Sequence, residues 1–465
     1  MKKCALLVLL PCIALAIYSM DSLTVNHWRV MIYNEGTWGA DLSQLNFPGG
    51  SWPAPLRNSY IFGAGIWIGS ITPSETLVTV GYDPNSGATE FGPALCRYWR
   101  GGYADSADRI YKHPGDWPPP LGRFPMAPQN WRSDQDLWCC FGDSDPGLHV
   151  APETSGLGVD VALTVYGFAD SAASDFFFLK YDVLNNNDYP FDSLLIAMAM
   201  DADIGDATDD LVGFIHDKLF QVQGETIRVR NTGFCYDNNN IERHSDRWDS
   251  GAPGMVAVSL LSSPDDVGLS AFKLFSIDVD PVTDPTRYQT MAGYNYRTGY
   301  YEPFDTTGDQ APGDKRFLEA SGPVDVPAHG TATFWYAIIG SPFGDPGEVG
   351  PKHDTSELAI RYRAAQERFR QLLGVQEPGP VVPTTTTLCS SIFSPSAPLC
   401  IRLGEGPTHT VTAFDLTGRP VRKLTGRGVI TWDGTGKNGQ MLPAGVYFLQ
   451  VTGPDSRTGK VVLER

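Results

Sequence analysis

The sequence predicts an all-β protein: a large antiparallel β-sandwich with long loops, followed by a second, small β-sandwich. Charged residues make up only 19% of the 465 residues, whereas Gly, Pro and aromatic residues are abundant. That composition is typical of loop-rich β proteins. Apolar segments of strand length follow one another through turns with almost no helical pattern between them, which favours antiparallel sheets stacked face to face.

Residues 1–16 have the layout of a signal peptide. Two lysines precede the uncharged apolar run 4–18, and Ala14-Leu15-Ala16 supplies the small-x-small pattern of a cleavage site. The run is too short to remain as a membrane-spanning helix. We expect cleavage after Ala16. A lipoprotein signal around Cys12 is the alternative, which the preceding proline disfavours. No second run of membrane length follows, so no transmembrane segment is expected in the mature chain.

Residues 22–374 are predicted to form the large β-sandwich. Segment 160–168 alternates apolar and polar residues, and 176–184 and 194–200 are apolar runs separated by a turn rich in Asn. Four further segments have strand composition: 227–229, 256–261, 272–277 and 331–339. Residues 40–150 are dense in Gly, Pro and Trp, and we predict short strands there with long loops that decorate the first sheet.

One helix is predicted over 356–373, after a cap at Asp354 or Thr355. Apolar residues recur there at helical spacing, and Gly374 ends the pattern. These residues are Leu358, Tyr362, Ala365, Phe369 and Leu372. The stretch 375–387, rich in Pro and Thr, is predicted to be an extended linker, and 388–465 to be a unit of its own.

The cysteines predict disulfides. Two of the eight lie in the signal peptide, and an even number in the remainder of an exported chain indicates pairing. Cys389 and Cys400 are the only two in the C-terminal part and form the strongest predicted pair. The adjacent Cys139 and Cys140 would need separate partners. A zinc site is disfavoured because no Cys-x-x-Cys pattern is present.

The C-terminal part contains several turn motifs in a fixed order. Leu416-Thr417-Gly418-Arg419 has the composition of a hairpin turn, Trp432 is a large apolar anchor before Asp433-Gly434, and Gly445-Val446-Tyr447 leads into a strand. Together with Gly439 these motifs resemble the C-terminal sorting domain of type IX-secreted proteins and the immunoglobulin-like domain of the flagellar hook-capping protein. The resemblance implies an immunoglobulin-like fold, recognition by outer-membrane secretion machinery and delivery to the cell surface. The alternative is a plain terminal sandwich without a sorting role.

An acidic segment directly after the strand 194–200 predicts a calcium site. Five carboxylates occur within ten residues, at Asp201, Asp203, Asp206, Asp209 and Asp210, with Gly205 for a tight bend. Ca²⁺ prefers such oxygen ligands, and crowded carboxylates repel one another unless a cation neutralises them. The pattern is not an EF-hand loop. We expect a structural ion; a solvated acidic turn is the alternative.

The net charge and the catalytic motifs sought in the sequence limit the classes of function that we expect. With a net charge of −18 and a pI near 4.8, nucleic-acid binding is disfavoured because phosphate contacts need clustered Lys and Arg. No Gly-x-Ser-x-Gly elbow or other catalytic constellation is recognisable in the sequence, so an enzyme is the less favoured interpretation. We expect a secreted cell-surface protein: a non-enzymatic binding, adhesion or structural module whose partner is a surface glycan or another protein.

Segments of the large unit support export as well. Gly63-Ala64-Gly65-Ile66-Trp67-Ile68-Gly69 and Ser133-Asp134-Gln135-Asp136-Leu137-Trp138 resemble segments of secreted bacterial proteins that carry such sorting domains. The alternative function is a secreted carbohydrate-binding or glycan-hydrolysing protein, because aromatic faces stack on sugars and paired carboxylates hydrolyse glycosides. Its candidate residues are Trp99, Trp117, Trp131, Trp138, Glu90, Asp134, Asp136 and Glu153.

Overall fold

The computed structural model describes residues 19–41, 47–83, 87–94, 108–149, 155–275, 280–308, 310–342, 355–374, 387–388, 392–395, 398–402, 408–416, 418–427, 429–452 and 457–464. The chain divides into two compact units, Met1–Val375 and Gln376–Arg465. The predicted signal peptide, and the predicted linker apart from Thr387, lie outside the described residues.

The large unit contains twenty strands and two α-helices among its described residues. The strands are β1 (Met20–Leu23), β2 (Arg29–Tyr33), β3 (Ala40–Asp41), β4 (Phe47–Pro48), β5 (Gly50–Ser51), β6 (Ser59–Ile61), β7 (Gly63–Ile71), β8 (Thr76–Val80), β9 (Gly92–Pro93), β10 (Tyr111–His113), β11 (Gln135–Gly142), β12 (Val159–Gly167), β13 (Phe176–Asn185), β14 (Phe191–Ala202), β15 (Asp210–Val222), β16 (Glu225–Asp237), β17 (Met255–Ser262), β18 (Leu269–Phe275), β19 (Lys315–Val326) and β20 (Thr331–Ser341). The helices are α1 (Asp284–Met291) and α2 (Ser356–Leu372), and single 3₁₀ turns lie at Ala207–Asp209 and Pro264–Asp266.

Two antiparallel sheets form the body of the large unit, which confirms the predicted all-β sandwich class. One has the strand order β10-β11-β12-β13-β20-β17-β16-β15, with β9 also paired to β11, and the other has the order β18-β19-β14-β7-β8. Smaller sheets are β1-β2-β5-β6 and β3-β4. The main core takes Val161, Leu163 and Val165 from the first sheet and Ile196 and Met198 from the second.

A helix packs on the outer face of each large sheet. The α2 helix is the predicted one, and its residues Leu358, Tyr362 and Phe369 pack with Phe178 and Trp335 of the first sheet. On the second sheet, Met291 of α1 joins a cluster that also contains Trp67 and Leu195. The α1 helix was not predicted, because three of its four buried residues are polar and the segment therefore shows no apolar helical period.

The prediction of only short strands among the long loops of residues 40–150 was wrong for two strands. Both β7 and β11 are internal strands of the large sheets, and eight consecutive residues of β7 from Gly63 are buried. Glycines in β7 conceal its strand character, yet they are required by packing: a Cβ on Gly65 would lie 2.8 Å from the backbone of Gly81.

The C-terminal unit contains eight strands among its described residues, in two sheets. They are β21 (Thr387–Leu388), β22 (Ile392–Phe393), β23 (Leu399–Arg402), β24 (His409–Phe414), β25 (Pro420–Gly426), β26 (Val429–Trp432), β27 (Gly445–Thr452) and β28 (Arg457–Leu463). The orders are β21-β23-β26 and β22-β28-β27-β24-β25. Both sheets contribute to one core around Trp432, which makes this unit a small β-sandwich.

Candidate functional site

The predicted acidic segment lies between two strands of different sheets. After β14 the chain turns at Gly205, where φ is +63°, and forms a 3₁₀ turn before β15 begins at Asp210. Asp206 caps this turn, because its Oδ1 accepts hydrogen bonds from the backbone N and the Oγ1 of Thr208 at 3.1 and 2.8 Å. The five predicted aspartates therefore do not surround one point.

Asp201 and Asp203 belong to a first group, which we call the arginine-paired cluster. One carboxylate oxygen each of Asp201, Asp203 and Asp314 lies within 4.8 Å of the other two. Two guanidinium groups neutralise part of this charge. Arg316 Nε lies 3.2 Å from Asp201 Oδ1, its second nitrogen lies 3.4 Å from Asp314, and Arg247 lies 3.1 Å from Asp203 Oδ2.

Burial is the largest influence on the pKa values of the aspartates in this cluster. It raises the pKa of Asp201 to about 6, against the stabilising charge of Arg316 and the hydrogen bond from Tyr82. Burial and then the neighbouring charge of Asp201 raise the pKa of Asp203 to about 7. A carboxylate in low dielectric loses hydration that two arginines only partly replace. The cluster is therefore partly protonated near neutral pH.

Asp209 belongs to a second group, which we call the Asp237 cluster. Oxygens of Asp209, Asp237 and Glu242 lie within 4.8 Å of one another. Asp237 is the last residue of β16, and its direct cross-strand partner is Asp210, the first residue of β15. Among the described residues, no Lys, Arg or His forms an ion pair with any of these four carboxylates.

In three of these residues, Asp237, Glu242 and Asp210, one carboxylate oxygen accepts hydrogen bonds from the backbone. Asp237 Oδ1 accepts from the backbone N of Asn239 and Ile241, at 2.9 and 3.2 Å. Glu242 accepts from the Asp206 N at 3.1 Å, and Asp210 Oδ2 accepts from the Ile204 N at 3.0 Å. The other oxygens of Asp237 and Asp210 are buried without a hydrogen-bond partner.

The pKa values in the second cluster are raised as well. Burial, followed by the charge of Asp209, raises the pKa of Asp237 to about 6. Burial raises the pKa of Glu242 to about 7, against the hydrogen bond from Asp206. Burial also raises the pKa of Asp210 well above its usual range, and the charges of Asp203, Asp237 and Asp209 add to this. Asp237 and Glu242 are therefore partly protonated near neutral pH as well.

Three acidic residues that sequence reasoning missed complete the clusters: Asp314, Asp237 and Glu242. They are distant in sequence from the predicted segment, and only strand pairing brings them there. One sequence feature could have indicated Asp237: it follows a strand and precedes three asparagines, and such polar oxygen-bearing residues at a strand end are typical of ligand loops.

The C-terminal motif residues form turns and core of the small sandwich. Gly418 and Arg419 lie in an exposed turn in which the Arg419 Nε lies 3.1 Å from Asp415. Trp432 is 1% exposed and donates from Nε1 to the carbonyl of Thr435 at 2.9 Å. Asp433 accepts from the backbone N of Thr435, which orders the next turn.

The other motif residues extend this end of the unit. A Cβ on Gly434, at φ +85°, would displace the side chain of Leu463, whereas Gly439 lies in an open turn. Gly445 begins β27, Val446 is half-buried, and Tyr447 is buried and donates to the carbonyl of Pro443 at 2.7 Å. Three large apolar side chains are nevertheless exposed in or beside these turns: Leu416 by 71%, Met441 by 44% and Phe448 by 45%.

Most of the described residues named in the carbohydrate hypothesis have structural roles. Trp138 is buried in a cluster with Phe124, and Asp136 is buried and accepts from the backbone N of Arg132 at 2.8 Å. Glu90 accepts from Val80 N and Asp134 from Ala169 N, both at 2.8 Å. Trp117 packs against the Trp138 cluster, and Trp131 is 56% exposed and stacked on His113. Trp99 and Glu153 lie outside the described residues.

The expectation that the mature cysteines are paired was wrong for two of them. Cys139 and Cys235 are free thiols. Both point into the main core between the large sheets, where strand alternation places them among apolar side chains. Burial raises the pKa of each thiol, so these are unreactive core residues. Cys389 and the side chain of Cys400 lie outside the described residues, and their pairing stays a prediction.

Comparison with known proteins finds no matching family model and no matching curated protein. Among solved structures, a polysaccharide lyase aligns with 68% of this chain and 36% of its own, at 8% identity and a TM-score of 0.21. PorZ, a surface component of the type IX secretion system of Porphyromonas gingivalis, aligns with 96% of this chain and 58% of its own, at 10% identity and a TM-score of 0.16.

The BSP domain of a biofilm-associated protein aligns with 96% of this chain and 80% of its own, at 10% identity and a TM-score of 0.14. The chain thus spans about a third of the lyase and less than two thirds of PorZ. At these TM-scores we draw no functional conclusion from the likenesses. Within the described part of the chain, no helix has the length and apolarity needed to cross a membrane.

Proposed function

We propose that this is a secreted cell-surface protein whose C-terminal unit is the part recognised by outer-membrane secretion machinery. The large β-sandwich is then the module presented outside the cell, with a binding, adhesion or structural role. The observation that carries the proposal is the exposed end of the C-terminal unit, where the motif turns occur together with Leu416, Met441 and Phe448.

The physical reason is that these apolar side chains, in contact with water, do not stabilise the domain on its own. The core of the C-terminal unit is already filled by Trp432, Tyr447 and the strands around them. Exposed apolar residues among specific turns are a common feature of surfaces that bind another protein. The predicted signal peptide supports the first step of export, across the inner membrane, and this end of the unit supports the second.

Truncation in a bacterium that carries a type IX secretion system tests the proposal. We expect the chain without residues 388–465 to stay in the periplasm, whereas the full chain reaches the surface, as measured by protease accessibility on intact cells. Leu416→Ser and Phe448→Ser are expected to reduce surface delivery without loss of folding. Ile71→Ser removes an equally exposed apolar side chain from the large unit and is expected to have no effect. Normal surface display of the truncated chain would refute the proposal.

A further inference from the structure

Four of the five aspartates predicted from sequence to hold one calcium ion lie at two acidic clusters, which differ in charge, whereas Asp206 caps the 3₁₀ turn. The arginine-paired cluster contains three carboxylates and two guanidinium groups. In the Asp237 cluster the three carboxylates are joined by the buried Asp210, and no cationic side chain among the described residues pairs with any of the four. A bound cation would therefore neutralise more unpaired negative charge at the second cluster than at the first.

We propose that the Asp237 cluster binds one Ca²⁺ ion through Asp209, Asp237 and Glu242, next to the carboxylate of Asp210. The ion would join three segments: the 3₁₀ turn before β15, the end of β16 and the turn that follows it. This site is independent of the proposed export function, since it lies within the large unit and uses no residue of the C-terminal motifs.

The spacing of the oxygens suits this ion. Ca²⁺ binds oxygen at 2.3 to 2.6 Å, so two of its ligands lie at most about 5 Å apart. The three ligand oxygens here lie within 4.8 Å of one another, as that distance requires. Carboxylate oxygens are the ligands that hard divalent cations prefer, and a set without nitrogen or sulfur disfavours zinc.

Unpartnered buried oxygens point to a ligand independently of the acidic cluster itself. Asp210 is fully buried and Asp237 is 2% exposed, and each keeps one carboxylate oxygen without a hydrogen bond. A buried carboxylate oxygen without a partner is strongly destabilising. Two such residues directly opposite each other on paired strands add like-charge repulsion. A divalent cation bound by Asp237 would give its unpartnered oxygen a ligand bond and would neutralise the charge that repels Asp210.

The loop geometry also fits a formed site. Gly205 packs so closely on Glu242 that a Cβ at Gly205 would lie 2.4 Å from the Glu242 carboxyl carbon. The same carboxylate is held by the Asp206 backbone N. The position of Glu242 beside the other two carboxylates therefore depends on a glycine at 205, and Gly205→Ala is expected to move it away.

Calorimetric titration of metal-free full-length protein with CaCl₂ tests the proposal. We expect one ion per chain, and a loss of affinity of about tenfold or more in Asp237→Asn and Glu242→Gln, since each removes a charged ligand. Asp314→Asn is the matched control: it removes a carboxylate from the arginine-paired cluster and is expected to leave the affinity unchanged. Gly205→Ala is expected to weaken binding as well.

Folding of the variants is checked by their melting temperatures in metal-free buffer. Asp237→Asn is expected to melt no lower than the unmodified chain there, because it removes a repelling charge, so its loss of binding cannot be attributed to unfolding. Absence of binding heat with the unmodified chain would overturn the proposal. So would a loss of binding in Asp314→Asn with normal binding in Asp237→Asn, which would place the ion at the other cluster.

Discussion

At the scale of single residues, Glu319 is a buried acid whose surroundings disfavour a negative charge. It lies on β19, is fully buried and accepts one hydrogen bond, from the backbone N of Gly233. Its second oxygen has no partner. Burial raises the pKa of Glu319 well above its usual range, so folding favours the protonated form of this carboxyl.

Replacement of Glu319 by Gln is therefore expected to flatten the dependence of stability on pH. The pKa is raised on folding, so the folded state binds a proton that the unfolded state has lost. This stabilisation is complete below the unfolded pKa and is lost as pH rises through the folded pKa, with a slope of about 1.4 kcal/mol per pH unit for one proton. Urea unfolding at several pH values measures the slope, and parallel curves for Glu319→Gln and the unmodified chain would contradict this account.

At the scale of an element, the turn after β26 shows which glycines the C-terminal unit requires. Gly434 and Gly439 both have positive φ, +85° and +72°. They differ in space: a Cβ on Gly434 would lie 2.8 Å from Leu463 Cδ1, whereas nothing lies within 4 Å of a Cβ on Gly439. A side chain would strain the backbone at both positions but would meet a close neighbour only at Gly434, so comparing the two distinguishes strain from crowding.

Gly434→Ala is expected to destabilise the C-terminal unit more than Gly439→Ala. Each substitution places a side chain in the left-handed region at a cost of about 1 to 2 kcal/mol. Only Gly434→Ala also crowds the core, which adds about 1 to 3 kcal/mol. Hydrogen exchange of the amides in β27 and β28, measured by mass spectrometry on the full chain, reports the difference. Equal exchange in the two variants would show that crowding at Leu463 plays no part.

Strands and helices with a clear apolar pattern could be predicted from sequence, whereas elements without such a pattern could not. The apolar run 194–200 indicated β14, which is buried on both faces, and the helical spacing of Leu358 to Leu372 indicated α2. The helix α1 buries Asp284, Arg287 and Thr290, so no periodicity indicated it. One of the three ligands of the candidate ion site was predicted, because Asp209 lies in the acidic segment but Asp237 and Glu242 reach it only through the pairing of β15 with β16.

At the scale of the whole molecule, the buried acids and the negative net charge both lower the stability of the fold as the pH rises. The chain has a net charge of −18. The pKa is raised to about 6 at Asp201, Asp237 and Asp280, and to about 7 at Asp203 and Glu242. Each of these groups stabilises the fold below its unfolded pKa and stops doing so as pH rises through 6 to 7. Self-repulsion also grows in that range.

The metal-free large unit is therefore expected to melt at a higher temperature near about pH 5 than near about pH 8. Calcium should reverse part of this loss only at the higher pH, because an ion at the Asp237 cluster replaces protons and needs its ligands ionised. At 100 times its dissociation constant, such an ion would add about 2.7 kcal/mol. Scanning calorimetry at both pH values, with and without CaCl₂, measures this, and Asp237→Asn should lose the calcium response. A metal-free chain that melts higher near pH 8 would show that protons do not take the place of the ion, and that the carboxylates are stabilised by other groups.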